Sequence, residues 1–345
     1  MKEKECFLLF SNCIPVKGAA RTAVCDLQTG RIRFLPNLLY DVLFENRGLT
    51  IETIKAKFNN QYDEGIDAYI TVLVEEDFGH CTTMPESFPQ MEMNWDCPSK
   101  VTNAILDVSA QSNYSVGKAI LELNELGCQA IQFRFFYSAQ LSIIENILST
   151  LSTSGITCVE ILYPYSDNHL DIIAACRKKV RVKALFFHGS NEDIQIEPEG
   201  DLIVQYSTEM VVDETHCGVI ESSFFAANIP TFTESLTFNS CLNRKVGIDK
   251  NGEIKNCPSL KTTYGNISNS SISKAIESAE FQKIWSITKD QISICKVCEF
   301  RYVCTDCRAY VNDKNDPLSK PEKCSYDPFT TTWVENGSKN NLASL

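Results

Sequence analysis

The sequence predicts a mixed α/β protein with three consecutive domains. They are a winged-helix-like domain at residues 1–85, a partial (βα) barrel at residues 96–210 and a cysteine-rich module at residues 216–330. Three observations predict this order. Short strands precede helical patterns in the first 80 residues, apolar strands alternate with helical segments in the middle, and eight of the sixteen cysteines lie within residues 216–330. A length of 345 residues allows two or three domains.

The composition is that of an ordinary globular protein, with 43% hydrophobic and 22% charged residues. Its longest apolar stretches fall well short of the ~20 residues needed to cross a bilayer, and the N-terminus lacks the apolar core of a signal peptide. We therefore expect a cytoplasmic protein with no membrane partner. A net charge of −12 argues against a nucleic-acid partner, since such proteins bind phosphates through Lys and Arg.

The N-terminal domain is predicted from strand and helix patterns that follow each other closely. Three short strands are predicted, at residues 6–10, 23–27 and 31–35. The last two flank a short connection that ends in Gly30, which is typical of a hairpin. Three helical patterns follow, at residues 37–44, 50–58 and 66–73. Three strands followed by three helices match a winged-helix-like plan.

This plan resembles the PqqD-like peptide-recognition domain, which binds leader peptides during the biosynthesis of ribosomally made, modified peptides. The resemblance is one of topology and covers residues 1–80. It implies that a leader peptide docks as an added strand on the hairpin edge, beside the third helix, where backbone hydrogen bonds supply affinity.

Four residues are predicted to contact the peptide. Arg31 and Arg33 lie on the hairpin, where they would attract an acidic leader, and Ile66 and Tyr69 lie on the third helix. A DNA-binding winged helix and a structural cap remain the alternatives. Residues 1–98 carry 9 Lys and Arg against 15 Asp and Glu, a balance of −6 that counts against DNA.

The middle of the chain repeats a strand-and-helix unit. Strands are predicted at residues 101–108, 128–136, 156–162, 182–187 and 202–206, and helices at residues 116–126, 139–151 and 169–177. Repeated units of this kind imply a parallel sheet with covering helices. A partial barrel is the first interpretation and an open doubly wound sheet is the second. Neither of the two usual Gly-rich phosphate-binding motifs occurs, so no nucleotide site is predicted.

The cysteines fall into two groups. Eight are scattered and are predicted to be buried packing residues: Cys6, Cys13, Cys25, Cys81, Cys97, Cys128, Cys158 and Cys176. Seven of the others form an ordered series: Cys241, Cys257, Cys295, Cys298, Cys304, Cys307 and Cys324. The series contains two C-x2-C pairs, each of which places two sulfurs within reach of one metal ion or cluster. In a reducing compartment such clustered cysteines indicate metal ligands.

The order of these cysteines resembles the SPASM domain of peptide-modifying proteins. One gap departs from the family pattern, because two residues instead of three separate Cys304 from Cys307. The resemblance implies two auxiliary [4Fe–4S] clusters. One would be held by Cys295, Cys298, Cys304 and Cys324, and the other by Cys241, Cys257 and Cys307. The fourth ligand of the latter cluster is either Cys217 or, in the alternative, a substrate bound at an open iron site. A pair of zinc ribbons remains the alternative, since zinc sites use the same C-x2-C pairs.

SPASM domains usually follow a radical S-adenosylmethionine barrel, whose first strand leads into a C-x3-C-x2-C loop. The loop in the corresponding place here, residues 109–115, contains no cysteine, and that motif occurs nowhere in the chain. The barrel is therefore interpreted as degenerate, and S-adenosylmethionine is not expected as a cofactor.

The combined pattern resembles the SPASM-domain peptide maturases of the grasp-with-spasm systems. The likeness is carried by residues 7–16, 241–245, 254–259 and 298–310. It implies a role in maturing a ribosomally synthesised peptide, with a precursor peptide and an ATP-grasp ligase as partners. Three hypotheses remain: an adaptor that presents the precursor, clusters that carry electrons or bind substrate, and a zinc-stapled regulator. No catalytic residue is assigned.

Overall fold

The computed structural model describes residues 4–334. Its N-terminal domain contains two small antiparallel sheets, built from strands β1 (Cys6–Leu9), β2 (Cys13–Lys17), β3 (Arg21–Asp26), β4 (Ile32–Pro36) and β5 (Gly79–Thr82). Strands β2, β3 and β4 form one sheet, and β1 pairs with β5 in the other. The predicted hairpin is confirmed as β3 and β4. Strands β2 and β5 add to the prediction, and the second lies directly after the last helix of the domain.

Three helical segments follow the hairpin, as predicted. They are α1 (Asn37–Leu39) continued by one π-helical turn (Tyr40–Phe44), α2 (Ile51–Lys57) and α3 (Asp63–Glu75). Thr50 caps α2, because its side chain accepts a hydrogen bond from the Thr53 N–H group. The buried faces of α2 and α3 pack against Val24 and Leu35 of the hairpin. This packing holds the helices on one side of the three-stranded sheet.

The middle of the chain forms a large, mainly parallel sheet, which confirms the predicted α/β alternation. Its strands are β6 (Asn103–Val108), β7 (Ala130–Phe135), β8 (Cys158–Pro164), β9 (Val182–His188), β10 (Ile194–Glu199), β11 (Leu202–Ser207), β12 (Lys245–Ile248) and β13 (Ile254–Lys255). Their order is β10-β11-β9-β8-β7-β6-β12-β13. Strands β6 to β9 are neighbours in chain order, as in a (βα) barrel, whereas a doubly wound sheet reverses its order at a switch point.

Helices α4 (Val116–Glu125), α5 (Leu141–Ser152) and α6 (His169–Arg177) are the helices that link the parallel strands. Their apolar faces pack against alternate strand residues such as Leu106, Phe133 and Ile161. Because successive side chains of a strand point to opposite faces, the remaining residues line the other face, here called the inner face. The register places Asp107 beside Arg134 and Gln132 beside Glu160 on it.

The C-terminal region contains little regular structure. It comprises α7 (Ile229–Thr237), α8 (Ile272–Ile276), α9 (Ala279–Gln282), β14 (Tyr326–Asp327) and β15 (Thr332–Trp333), joined by single 3-10 turns and long irregular segments. Strands β12 and β13 of this region extend the large sheet past β6. Across residues 4–334, no helix is long and apolar enough to span a membrane.

The N-terminal domain packs directly on the cysteine-rich region. Val16, Ala23 and Leu27 share one apolar core with Phe300 and Val303. The turn between β2 and β3 adds polar contacts, since the Ala19 N–H group donates to the Val297 carbonyl at 2.7 Å. The hairpin and the C-x2-C segments are therefore mechanically connected, although they are almost 300 residues apart in the sequence.

Candidate metal centre

Five thiols line a single cavity of about 290 Å³ between the inner face of the sheet and the cysteine-rich region. One belongs to Cys158 of β8, which was predicted to be a packing residue. The other four, here called the first cysteine set, belong to Cys217, Cys241, Cys257 and Cys307. Three of them were predicted to share a cluster, and the fourth, Cys217, was the candidate that completes it.

The β12–β13 hairpin brings Cys241 and Cys257 together. Cys241 precedes β12, Cys257 follows β13, and the turn between the strands contains Gly252 with a φ angle of 79°. Glycine adopts this left-handed conformation without steric cost, so the chain can reverse tightly at this point. The antiparallel pairing of the two strands then places both ends of the hairpin at one wall of the cavity.

A close backbone approach brings Cys217 to Cys307. A Cβ atom added at Gly218 would lie 2.8 Å from the Cys307 sulfur, which is closer than real Cβ contacts allow. The φ angle of Gly218 is 89°, another conformation that favours glycine. Gly218 therefore allows the segment that carries Cys217 to lie against Cys307.

The Cys241 and Cys257 thiols of the first set disfavour ionisation unless a cation is present. Burial raises the pKa of Cys257 to about 12, and the neighbouring Cys217 raises it as well. Burial also raises the pKa of Cys241 well above its ordinary value; Lys245 opposes this, and the other three thiols add to it. Several thiolates in one buried site repel each other, and a bound metal group removes this repulsion because thiolates are its ligands.

The other four predicted ligands form the second cysteine set: Cys295, Cys298, Cys304 and Cys324. A 3-10 turn (Cys295–Val297) starts the first C-x2-C pair, and the Cys298 N–H group donates to the Cys295 carbonyl at 2.9 Å. Burial raises the pKa of Cys304 to about 12, Lys289 lowers it, and Cys324 and Cys295 raise it further. Cys304 and Cys295 also raise the pKa of Cys298, after burial as the main cause. Cys304 and Cys295 therefore lie within electrostatic reach of the other two sulfurs of the set.

The shortened gap between Cys304 and Cys307 separates the two sets. Cys304 belongs to the second set and Cys307 to the first, and the Asp306 side chain between them is 1% exposed. Asp306 accepts a hydrogen bond from Asn239 Nδ2 at 2.8 Å and pairs with Arg308 at 2.8 Å. In the sequence, only the position of Asp306 between two cysteines distinguishes this buried charge network, so it could not be predicted.

Among residues 4–334, no group of three or more His, Cys, Asp or Glu side chains is arranged to hold a single metal ion. A zinc ion needs its sulfur ligands at about 2.3 Å from one point. An iron–sulfur cluster spaces its cysteine ligands more widely, because iron and inorganic sulfide lie between them. Four thiols around a cavity of about 290 Å³ are compatible with this wider spacing.

The inner face of the sheet supplies polar groups near the first cysteine set. Arg134 donates to both carboxylate oxygens of Asp107, at 2.6 and 2.8 Å. Gln132 donates to Glu160 at 3.0 Å, and both residues line the cavity. Burial raises the pKa of Glu160, while the hydrogen bond from Gln132 lowers it. Glu160 therefore retains a proton to higher pH than an exposed glutamate does.

The cysteine-free loop after β6 is closed by its own hydrogen bonds. Ser112 Oγ accepts from the Ser109 N–H group at 2.9 Å and donates to the Lys250 carbonyl at 2.6 Å. The Tyr114 hydroxyl donates to the Asp107 carbonyl at 2.8 Å. These contacts fix the loop against the β12–β13 hairpin.

The predicted peptide-binding residues lie in two different environments. Arg31 donates to the Glu76 carbonyl at 2.9 Å, and Arg33 pairs with the Glu76 carboxylate at 3.2 Å, so both connect β4 to the end of α3. Tyr69 is partly buried against the domain core. Ile66 is 1% exposed, which makes it a core residue whose side chain is not available to a peptide.

The outer edge of β4 offers backbone groups to an added strand. The Asp26 N–H group donates to the Arg31 carbonyl, and Ile32 lies opposite Cys25 in the register. Since hydrogen-bonded and non-hydrogen-bonded pairs alternate along an antiparallel ladder, the N–H groups of Ile32 and Phe34 point away from β3. Within the described part of the chain, β4 pairs with β3 alone.

No protein-family model matches this chain, and no curated protein does. Two similar solved structures are crystal structures of SuiB from Streptococcus suis. SuiB bound to S-adenosylmethionine aligns with a TM-score of 0.38 and 10% sequence identity, over 93% of this chain and 98% of that one. SuiB bound to the precursor peptide SuiA aligns with a TM-score of 0.36 and 10% identity over the same shares.

Proposed function

We propose that this chain is an iron–sulfur protein of the SPASM type that takes part in maturing a ribosomally synthesised peptide. In this proposal it binds the precursor and presents it to an ATP-grasp ligase. The observation that supports the proposal is that Cys217, Cys241, Cys257 and Cys307 line one cavity, while Cys295 and Cys324 act electrostatically on Cys304. This grouping is compatible with the ligand order that the SPASM pattern implies, with Cys217 as the proposed fourth ligand of the first set.

The donor chemistry supports iron–sulfur clusters. All eight proposed ligands are thiols, which are the ligands of [4Fe–4S] clusters. The irregular chain from residue 289 to residue 324 has few strands or helices of its own, so a bound metal group would supply much of its rigidity. The zinc alternative requires tighter convergence of each set on one point.

Peptide binding is assigned to the N-terminal domain. The free N–H groups of Ile32 and Phe34 could pair with an extended leader, and Arg33 lies between them on the same strand. Backbone pairing of this kind gives affinity, and side chains beside the edge give specificity. The partner ligase follows from the family resemblance alone.

A pair of cysteine variants tests the proposed ligand sets. Cys241→Ala and Cys298→Ala should each lose about half of the iron of the anaerobically purified protein, because each removes a ligand of one cluster. Cys176→Ala is the matched control, since Cys176 is fully buried in the core of the large sheet. Its iron content should equal that of the wild type. Equal iron content in all four proteins would contradict the assignment.

A further inference from the structure

A buried ammonium group lies against the second cysteine set. Lys289 is 4% exposed, and its Nζ atom donates to the Cys304 sulfur at 3.4 Å and to the Thr305 carbonyl at 3.2 Å. The Asp306 carboxylate lies 3.7 Å from the same atom. Lysine is almost never fully buried without a partner, so these contacts determine where the charge lies.

The charge on Lys289 is held in place by its surroundings. The Asp306 carboxylate beside it is 1% exposed, so the ammonium group and the carboxylate are buried together. Arg308, whose side chain is 2% exposed, pairs with the same Asp306. The two buried cations share one carboxylate, and Lys289 is the one that donates to a ligand sulfur. On the other side of the set, the fully buried Glu299 follows Cys298 and pairs with Arg21.

The first cysteine set has cations of its own. Arg308 and Lys245 line its cavity, and Arg134 is paired through two hydrogen bonds with Asp107. The Lys245 ammonium group donates to the Ser240 carbonyl and not to a cysteine sulfur. Among residues 4–334, the direct contact of an ammonium group with a ligand sulfur is therefore what distinguishes the second set.

We propose that Lys289 favours reduction of the metal group that the second cysteine set holds. This inference rests on the proposed iron–sulfur clusters. A [4Fe–4S] cluster gains one negative charge when it takes one electron from a low-potential one-electron donor, and no bond forms or breaks. A cation that donates to a ligand sulfur stabilises this reduced form. Lys289 would therefore stabilise the reduced form of a cluster held by the second set.

Anaerobic potentiometric titration of the full-length protein, with dithionite as reductant and detection by electron paramagnetic resonance, tests the proposal. In Lys289→Met the reduction equilibrium constant of the second-set cluster should fall about tenfold, which is about 59 mV for a one-electron couple. The first-set cluster should titrate as in the wild type. Lys289→Arg keeps the positive charge, so its reduction equilibrium constant should be close to that of the wild type.

Asp306→Asn provides a second variant, which should change the reduction equilibrium constant of the second-set cluster in the opposite direction. It removes the anion that partly neutralises Lys289, so the second-set cluster should become easier to reduce. A fall or no change in its reduction equilibrium constant would overturn the proposal, and this holds even if Lys289→Met assembles less iron than the wild type.

Cys298→Ala assigns the signals, because only the first-set cluster should remain in it. Adding Lys289→Met to Cys298→Ala should leave that remaining signal unmoved. If both clusters of Lys289→Met are present in full and titrate as in the wild type, the inference is wrong while the proposed clusters stand. If the wild type contains zinc in place of iron, the proposed function fails and this inference fails with it; metal analysis before the titration separates the two failures.

Discussion

The ion pair between Arg21 and Glu299 joins the N-terminal domain to the cysteine-rich region. Arg21 Nε donates to the Glu299 carboxylate at 2.6 Å, and the Glu299 side chain is fully buried. Tyr326 donates to the same carboxylate through its hydroxyl group. The Arg21 guanidinium also stacks on the Phe34 ring, 3.6 Å from its centroid. This pair connects the β3–β4 hairpin to the residue that follows Cys298.

We expect Arg21→Met to destabilise the protein by about 3 kcal/mol. Removing one partner of a buried ion pair costs about 3–5 kcal/mol, because the remaining charge is left uncompensated. We use the lower end of this energy range because the Arg21 side chain is still 26% exposed. Urea denaturation followed by circular dichroism should show this loss as a midpoint about 1 M lower.

Two further variants separate loss of the pair from loss of any arginine. Arg47→Met is the matched control, since Arg47 is exposed and donates to the Phe88 carbonyl; it should change the free energy of unfolding by less than about 0.5 kcal/mol. Arg21→Met combined with Glu299→Leu should be more stable than Arg21→Met alone, because the orphaned charge is gone. If Arg21→Met unfolds at the wild-type urea concentration, the pair does not hold the two regions together.

Two other predictions address the peptide and the missing cluster loop. Ile32→Pro should abolish binding of the precursor's leader, because proline has no N–H group to pair with an added strand. The melting temperature should be nearly unchanged, because the lost N–H group points away from β3. The wild-type protein should bind the leader with micromolar affinity, about −8 kcal/mol, and added salt should weaken this binding. Titration calorimetry on the full chain measures both, and unchanged binding would move the peptide site elsewhere. Reduced protein given S-adenosylmethionine should release no 5′-deoxyadenosine above background in a chromatographic assay, since residues 109–115 contain no cysteine; steady release would refute the degenerate barrel.

The parts of the fold that depend on local pattern could be predicted from the sequence. The β3–β4 hairpin, helices α2 and α3, and the parallel strands β6 to β9 all follow from hydrophobic periodicity and turn residues. Strand β2 was missed because Pro15 interrupts the strand pattern. The register places the Pro15 nitrogen on the edge of β2 that does not face β3, so the proline removes no hydrogen bond between these strands. The contact between Arg21 and Glu299 could not be predicted, since it joins residues 278 positions apart.

The candidate metal centre, like the fold, could be predicted from the sequence only in part. Cysteine spacing predicted both sets, because short C-x2-C loops and a Gly-containing hairpin place thiols together by local geometry. The weakest ligand assignment, Cys217, gains support from Gly218, whose lack of a side chain permits contact with Cys307. Lys289 carried no signal in the sequence, since a lysine near cysteines is usually exposed. The burial of Ile66 was also missed, because helix α3 presents it to the core.

Metal analysis of the anaerobically purified wild-type protein, combined with its absorption spectrum, tests the central claim most directly. Two [4Fe–4S] clusters predict about eight iron atoms and about eight acid-labile sulfides per chain, with broad sulfur-to-iron charge-transfer absorption near ~400 nm. A colourless protein with about two zinc ions per chain and no iron would contradict the account.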